Sequence, residues 1–187
     1  MHRLFIAIRP PESIRECLLD LMEGVPGLRW QDDGQLHLTL RFVGEVERPV
    51  AEDLAKALEA VRFETFTVEL MGVGRFDQRR GGVLWAGASP REPLKTLAAK
   101  IERVCQSVGL EPERRAFHPH VTLARWSGRA PRLDSWIERH SNLRTSPFEV
   151  EGFILYESRL GREGAHYEPV ADYLLSPANK SGTAASC

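Results

Sequence analysis

The feature that most constrains this fold is a short polar motif that occurs twice in the chain. HLTLRFVGE at 37–45 and HVTLARWSG at 120–128 both contain the pattern His-x-Thr-Leu. Apolar and polar residues alternate through each segment, which predicts a β-strand with one buried face. A single His-x-Thr triplet recurs by chance, but two of them on predicted strands indicate an internal duplication.

The predicted elements around the two motifs follow one order: helix, strand, helix, strand, strand. After a leading strand at 3–9, the first repeat spans about 12–88 and the second about 91–174. Ser13 with Glu16 forms a capping-box pattern, which predicts the start of the first helix. The remaining strands are expected at about 36–43, 64–71, 83–88, 119–126, 147–157 and 166–174, and the remaining helices at about 50–60, at 91–108 and from Pro131. If the halves pack about a pseudo-twofold axis, the two motifs meet across one cleft.

Length and composition are those of a globular protein, with 187 residues, 42% of them apolar and 27% charged. The chain suits one domain or two small lobes. Cys17, Cys105 and Cys187 lie far apart, which excludes a disulfide framework and a cysteine zinc site and favours a cytoplasmic location. The longest early apolar run, Leu4 to Ile8, is too short for a signal peptide or a membrane span.

The charge balance argues against a bulk electrostatic attraction to nucleic acid. The formal net charge is −1, so any recognition of phosphate must be local. Of the 25 basic residues, only four are lysine. Arginine guanidinium groups match phosphate oxygens two at a time, although the codon usage of a GC-rich genome explains the same bias.

Residues two apart on a strand face the same side, so each motif projects one imidazole with one hydroxyl. These are His37 with Thr39, and His120 with Thr122. Leu38, Leu40, Val121 and Leu123 are expected to point into the core. Each histidine is an ordinary strand residue in the simplest interpretation, but the matched pair favours a shared site that lacks any carboxylate or thiol.

Two facing imidazoles suit general acid–base catalysis near neutral pH, because one accepts a proton while the other donates one. Two flanking hydroxyls donate hydrogen bonds to the oxygens of a tetrahedral anion. This chemistry fits hydrolysis of a phosphodiester, especially a strained cyclic phosphate. His118 and His120 form an alternative metal-binding pair, but Pro119 separates them and no acid lies close in sequence, so neither a metal nor another cofactor is expected.

The segments HLTLRFVGE and FHPHVTLAR resemble the two signatures of the two-histidine phosphoesterase superfamily. The most similar branch is that of the RNA 2′,3′-cyclic phosphodiesterases, also called 2′–5′ RNA ligase-like proteins. RLFIAI near the start, VLWAG at 83–87, FILYESRL at 153–160 and the late HYEPV extend the resemblance to about residues 2–175. The tail from Ser176 to Cys187 lacks core residues and is expected to be disordered.

The resemblance implies an α+β fold with two pseudo-symmetric lobes, antiparallel sheets that face a central cleft, and helices on the outside. The expected unit is a single bilobal domain over 1–175. The resemblance also implies metal-free hydrolysis of an RNA 2′,3′-cyclic phosphate to a 2′-phosphate. By motif position, the proton donor is His37, the proton acceptor is His120, and Thr39 and Thr122 bind the phosphate.

Three further residues are candidates for substrate binding. The resemblance suggests Arg125, which a regular strand turns away from His120 and which reaches the phosphate only if the strand bends or ends by Ala124. Simple alternation from His37 places Arg41 on the catalytic face. Phe5 is expected either to line the cleft floor and stack on a base or to pack in the core.

Two other functions remain open at this point. One is a non-catalytic module that binds nucleotides or RNA, which does not require two matched imidazoles. The other is ATP-independent formation of a 2′–5′ RNA linkage, which uses the same acid and base in reverse. The expected partners are RNA ends or small cyclic nucleotides, without a membrane, and the chain is expected to be a monomer.

Overall fold

The structure, a computed structural model, describes residues 1–161 and 164–178. Within these residues the chain forms nine strands and four helices. The strands are β1 (His2–Ile8), β2 (Arg29–Trp30), β3 (Leu38–Val46), β4 (Phe66–Gln78), β5 (Gly81–Ser89), β6 (His120–Ser127), β7 (Phe148–Val150), β8 (Gly152–Gly161) and β9 (Gly164–Leu174). The helices are α1 (Glu12–Leu19), α2 (Arg48–Leu58), α3 (Arg91–Ser107) and α4 (Asp134–His140). None of these helices is both long enough and apolar enough to cross a bilayer.

The strands form one antiparallel sheet in the order β7-β4-β5-β6-β3-β1-β8-β9, with β2 paired to β6. We call β3, β1, β8 and β9 the first half-sheet, and β6, β5, β4 and β7 the second half-sheet. Their central strands are joined by a single residue pair, Leu38 with Val121. The predicted α+β class is confirmed, while the two expected sheets are the halves of one sheet that meet at this pair.

The half-sheets do not coincide with the two repeats in the sequence. The β4–β5 hairpin belongs to the first repeat, yet β5 pairs with β6 of the second. The β8–β9 hairpin belongs to the second repeat, yet β8 pairs with β1, which in turn pairs with β3 of the first. The chain therefore exchanges its two hairpins, and each half-sheet contains strands from both repeats.

The main core lies between the sheet and the helices. α3 presents Leu94, Leu97, Ile101 and Cys105 at helical spacing, and all four side chains are fully buried. Burial of each large apolar side chain contributes about 1.5–3 kcal/mol to stability. A second, small cluster of Phe5, Ala7 and Tyr156 lies on the other face of the first half-sheet. That face carries the site described below.

Local structure differs from the sequence prediction at several element ends. α1 begins at Glu12 after Pro11, and the expected Ser13 capping box is not its N-cap. β4 continues to Gln78 because an irregularity between Leu70 and Val73 bends the strand without ending it. The strand predicted over 147–157 is divided between β7 and β8.

The predicted disordered tail is wrong at its beginning. Ser176 forms an isolated parallel bridge with Glu64. The backbone N–H of Ser176 donates to the Phe63 carbonyl at 2.9 Å, and the N–H of Thr65 donates to the Ser176 carbonyl at 2.8 Å. These bonds hold the chain against the start of β4. The rest of that tail, from 179 onward, lies outside the described residues.

Candidate active site

The two His-x-Thr motifs lie side by side where the half-sheets meet. Leu38 pairs with Val121 in antiparallel register. In this antiparallel register, the residue pairs on either side of Leu38 and Val121 are His37 with Thr122 and Thr39 with His120. Leu38 and Val121 are buried in the main core, so their polar neighbours project from the other face of the sheet. The structure thus brings all four predicted polar residues to one place.

The backbone two residues earlier acts on both histidines. Nδ1 of His120 lies 2.6 Å from the carbonyl oxygen of His118. A carbonyl only accepts, so in this bond Nδ1 carries the proton and Nε2 is left as the reactive nitrogen. The Gln35 backbone has the corresponding influence on His37, although Nδ1 of His37 has no partner of full hydrogen-bond geometry in the described structure. His118 is therefore a backbone support for the neighbouring catalytic candidate.

Burial lowers the pKa of His37 from 6.5 to about 4. The Gln35 backbone opposes this change, and the positive charges of Arg125, His120 and Arg9 add to it. In the unliganded protein His37 is therefore neutral at pH 7. A bound phosphate anion acts in the opposite direction, since a nearby negative charge favours the protonated imidazole.

Burial also lowers the pKa of His120, while its hydrogen bond to the His118 carbonyl raises it. The charge of Arg125 lowers the pKa of this imidazole as well as that of His37. One guanidinium group is thus close enough to act on both histidines. The two imidazoles and Arg125 therefore form one electrostatic unit.

Arg125 reaches the catalytic face because β6 contains a β-bulge. Trp85 pairs with Thr122 and Leu84 with Ala124, so Leu123 has no partner on β5. A bulge inserts one extra residue and reverses the alternation beyond it. Leu123 and Ala124 are both buried, whereas Arg125 is exposed on the same side as Thr122. β6 therefore has the bend that we expected to be necessary for Arg125 to reach the phosphate.

β3 contains an equivalent bulge, which shows that the predicted position of Arg41 on the catalytic face is wrong. Ala7 pairs with Thr39 and Ile6 with Arg41, so Leu40 has no partner on β1. Arg41 therefore shares the core side with Ile6 instead of the catalytic face. Its exposed fraction is only 8%. Simple alternation from His37 failed because it did not include the extra residue.

Arg41 instead connects the back of β3 to α3 and to the segment before β6. Its guanidinium group forms ion pairs with Glu102 on α3 and with Glu113. It also donates hydrogen bonds of 2.6 Å to the carbonyls of Phe42 and Glu111. This network holds the segment that leads to His118 and His120, so Arg41 is structural.

The first half-sheet supplies an aromatic wall beside His37. The ring centroid of Phe5 lies 4.8 Å from that of His37 and 5.1 Å from that of Tyr156. Tyr167 meets the His37 ring edge-on at 5.1 Å. Phe5 is 3% exposed, so it supports the imidazole from below and has little surface left for stacking on a base.

The second half-sheet supplies a different wall beside His120. Phe76 meets the His120 ring edge-on at 5.2 Å, and Trp85 lies at 6.2 Å. Gly74 leaves room for this arrangement, since a Cβ there would lie 2.4 Å from the Trp85 ring. Apolar rings around both imidazoles account for their desolvation and lowered pKa values.

Sequence reasoning missed Phe42 as a cleft residue. It pairs with Phe5 beyond the bulge, which turns it to the catalytic face with 38% of its surface exposed. The guanidinium carbon of Arg3 lies 5.4 Å from its ring centroid. Each of Phe42 and Arg125 stands five residues after its motif histidine, so an alignment of the two motifs signals their equivalence.

Metal-ligating side chains do not gather at this site. In the described parts of the chain, His, Cys, Asp and Glu form no group of three or more that is suited to a metal ion. The arrangement instead offers two imidazoles, two hydroxyls and a guanidinium group, which together suit proton transfer on a bound anion.

The fold and this site define a phosphoesterase with paired histidines. The 2′-5′ RNA ligase superfamily matches residues 6–162, and the chain belongs to that family. Among solved structures, LigT of Escherichia coli in complex with 3′-AMP superposes with a TM-score of 0.77 at 30% identity. That match covers 93% of this chain and 98% of LigT.

Two relatives carry a more specific name. The RNA 2′,3′-cyclic phosphodiesterase of Aeropyrum pernix is 38% identical over 149 residues, or 78% of this chain and 84% of the relative. The protein of the same name from Escherichia coli is 30% identical over 184 residues, or 94% and 97% of the two chains. The resemblance found in the motifs is confirmed.

Proposed function

We propose that this protein is an enzyme that hydrolyses the 2′,3′-cyclic phosphate at RNA ends to a 2′-phosphate. The observation that carries the proposal is the register at Leu38 and Val121, which sets each motif histidine opposite the threonine of the other motif. The activity named for the relatives supports the choice of substrate. A binding module has no need of two matched imidazoles, one of which, His120, is held by a backbone carbonyl through Nδ1 and keeps Nε2 free.

In this reaction His120 accepts a proton and His37 donates one. Nε2 of His120 accepts a proton from water as the water oxygen bonds to phosphorus. The bond from phosphorus to O3′ breaks, its electron pair stays on O3′, and Nε2 of His37 donates a proton to that oxygen. The products are a 2′-phosphate and a free 3′-hydroxyl group, and solvent exchange restores the two protonation states.

Thr39, Thr122 and Arg125 hold the phosphate during this step. The two hydroxyls donate hydrogen bonds to the non-bridging oxygens, and the guanidinium group offsets the charge that grows on them. The same anion raises the pKa of the donor imidazole and supplies the proton that the unliganded site lacks at neutral pH. The pH profile is then bell-shaped, and its limbs belong to the coupled pair.

Product analysis tests the proposal directly. An RNA oligonucleotide that ends in a 2′,3′-cyclic phosphate is incubated with the protein in excess EDTA. We expect the addition of one water molecule, and phosphorus NMR should show a 2′-phosphate. An unchanged substrate would leave only a binding function. Activity that requires a divalent ion would instead revive the alternative metal pair, His118 with His120.

The reverse reaction, ATP-independent 2′–5′ ligation, uses the same groups, and water at ~55 M favours hydrolysis unless two RNA ends are held together. A cytoplasmic location and a monomeric state stay predictions from the sequence.

A further inference from the structure

Five exposed arginines lie together at one end of the second half-sheet. We call this surface the arginine end; it consists of Arg29, Arg79, Arg80, Arg125 and Arg129. These residues come from β2, from the tip of the β4–β5 hairpin, from β6 and from the turn after β6. The net charge of the whole chain conceals this local concentration.

Arg29 on β2 and Arg125 on β6 lie side by side on adjacent strands. They are direct partners in the β2–β6 ladder, so both side chains project from the same face of the sheet. Since Arg125 shares its face with Thr122, Arg29 extends that face away from the catalytic centre. Like charges directly opposite one another destabilise a sheet. An anion that binds between the two guanidinium groups removes this repulsion.

The hairpin tip places two more arginines beside the end of β6. Gln78 pairs with Gly81, which leaves Arg79 and Arg80 as a two-residue turn. The N–H of Gly128 donates to the Arg80 carbonyl at 3.2 Å, and Arg129 is the next residue. Gly81 permits this approach, since its φ is +143° and a Cβ there would lie 2.1 Å from the Trp126 carbonyl oxygen.

The charges at the arginine end are not neutralised by the protein. Within residues 1–161 and 164–178, none of its five guanidinium groups has a carboxylate within ion-pair distance; the arginines that do are Arg9, Arg15, Arg41, Arg48, Arg75, Arg115, Arg144 and Arg159. The segments that supply the arginine end, 24–31, 78–91 and 114–133, contain no Asp or Glu at all. The fold thus gathers uncompensated positive charge at the edge of the cleft.

We propose that the arginine end binds the backbone phosphates on the 5′ side of the terminal nucleotide. The inference rests on the proposed function, and it names the substrate as an RNA strand instead of a small cyclic nucleotide. Arg125 contacts the reacting phosphate, and Arg29, Arg80 and Arg129 continue the positive surface away from it. Exposed guanidinium groups without acidic partners bind a flexible phosphate backbone without reading its sequence.

The test compares substrates of increasing length. The variant R29Q/R80Q/R129Q removes three charges from the arginine end and leaves Arg125 in place. The matched control R91Q/R103Q/R139Q removes three exposed arginines from α3 and α4, none of which has an ion pair in the described structure. Substrates are a nucleoside 2′,3′-cyclic phosphate and an RNA of about six nucleotides with the same end, a length within the usual site size for single strands.

We expect the wild type and the control to prefer the longer RNA. The arginine-end variant should lose about tenfold in kcat/KM on that RNA and retain its rate on the single nucleotide. The slope of log kcat/KM against log salt concentration should become shallower by about 2, or ~0.7 for each lost phosphate contact. Equal losses on both substrates, or no loss on the RNA, would overturn the inference.

Direct binding separates this inference from the proposed function. Fluorescence anisotropy measures the affinity for an RNA of about six nucleotides that ends in a 2′-phosphate, which needs no turnover. If the wild type hydrolyses nothing but the arginine-end variant binds this RNA about tenfold more weakly, the proposed function fails and the inference stands. If all three proteins bind it equally, the inference fails whatever the activity.

Discussion

The motif strands β3 and β6 share one backbone design but differ in the two side chains that follow the bulge. Each has a His-x-Thr pair at its start and a bulge three residues after the histidine, and in each the bulge residue and the residue after it are buried. After the bulge, β3 carries Arg41 and Phe42, whereas β6 carries Ala124 and Arg125. When the two motifs are aligned, the buried Arg41 of β3 corresponds to Ala124 of β6. The exposed Arg125 of β6 corresponds to Phe42 of β3.

This difference shows how a symmetric scaffold produces an asymmetric site. The half-sheets contribute equivalent imidazoles and hydroxyls, so symmetry alone assigns no acid and no base. Arg125 places fixed positive charge on one side, and Phe42 gives an apolar surface on the other. We therefore expect the phosphate to bind beside β6 and the organic part of a substrate beside β3.

The largest expected effect comes from the two histidines. His37→Asn and His120→Asn should each reduce turnover on a cyclic phosphate by at least ~10², the lower limit for one positioned acid or base. A nitrophenyl phosphodiester has a leaving group that needs no proton. On that substrate His37→Asn should recover much of its rate while His120→Asn stays slow. The opposite order would exchange the two roles, and equal damage would leave no support for them.

The equivalent positions after the bulges should differ sharply. Arg125→Gln removes charge from the developing phosphate anion and should reduce kcat/KM by about 10². Phe42→Leu is the matched change on β3 and should reduce it by about tenfold or less, since leucine keeps part of the apolar contact and losing a stacked base entirely costs about 1–3 kcal/mol. Steady-state kinetics on the cyclic nucleotide measures both, and similar losses would remove the asymmetry between the strands.

A substitution of Arg41 tests the role of the buried arginine on β3. Arg41→Met leaves Glu102 without its cation and the Glu111 carbonyl without its donor, and it removes one of the two arginines that pair with Glu113. We expect a loss of about 3 kcal/mol in the free energy of unfolding, as for other broken buried pairs. Arg48→Met breaks the exposed pair with Glu52 and should cost less than about 1 kcal/mol. Urea denaturation compares them, and equal stability of the two variants would contradict a structural role for Arg41.

The lowered pKa of His37 predicts how stability depends on pH. Its value is 6.5 in the unfolded chain and about 4 in the fold. Between these pH values the unfolded state binds more protons, so stability falls as the pH falls, by up to about 1.4 kcal/mol per pH unit for this group. His120 and His140, whose pKa values are also lowered, contribute in the same direction.

His37→Asn removes this proton and should flatten the dependence between pH 6.5 and about 4. Glu113 acts at lower pH, because its hydrogen bonds and ion pair with Arg115 hold its pKa at about 2. Its stabilising effect is lost only as the pH falls below its ordinary value of 4.5. Denaturation curves at several pH values separate the two ranges, and an unchanged slope in the variant would show that His37 titrates normally.

The sequence predicted the parts of the site that depend on local pattern. Alternation identified both motif strands, and the repeated triplet identified His37, Thr39, His120 and Thr122 as one group. The bulges at Leu40 and Leu123 were not predictable from alternation, because an extra residue in a ladder depends on how the partner strand pairs. For this reason the predicted position of Arg41 was wrong. For the same reason Arg125 could be placed beside the phosphate only on the condition that β6 bends.

Long-range pairing was the other limit. The repeat was visible, but the exchange of hairpins was not, since residue order does not state which half-sheet a hairpin joins. The arginine end is also a product of tertiary structure. Arg29, Arg80 and Arg129 are distant in sequence, and only the pairing of β2 and β5 with β6 brings them together.

The exchanged hairpins have a consequence for folding. β1 spans residues 2–8, but its second neighbour, β8, spans residues 152–161. The half-sheet that positions His37 therefore stays incomplete until residues 152–161 have paired with β1. Such distant pairing slows folding, because a long loop must close before the contact forms. The first repeat alone accordingly cannot complete the half-sheet beside His37, and no half-enzyme forms from it.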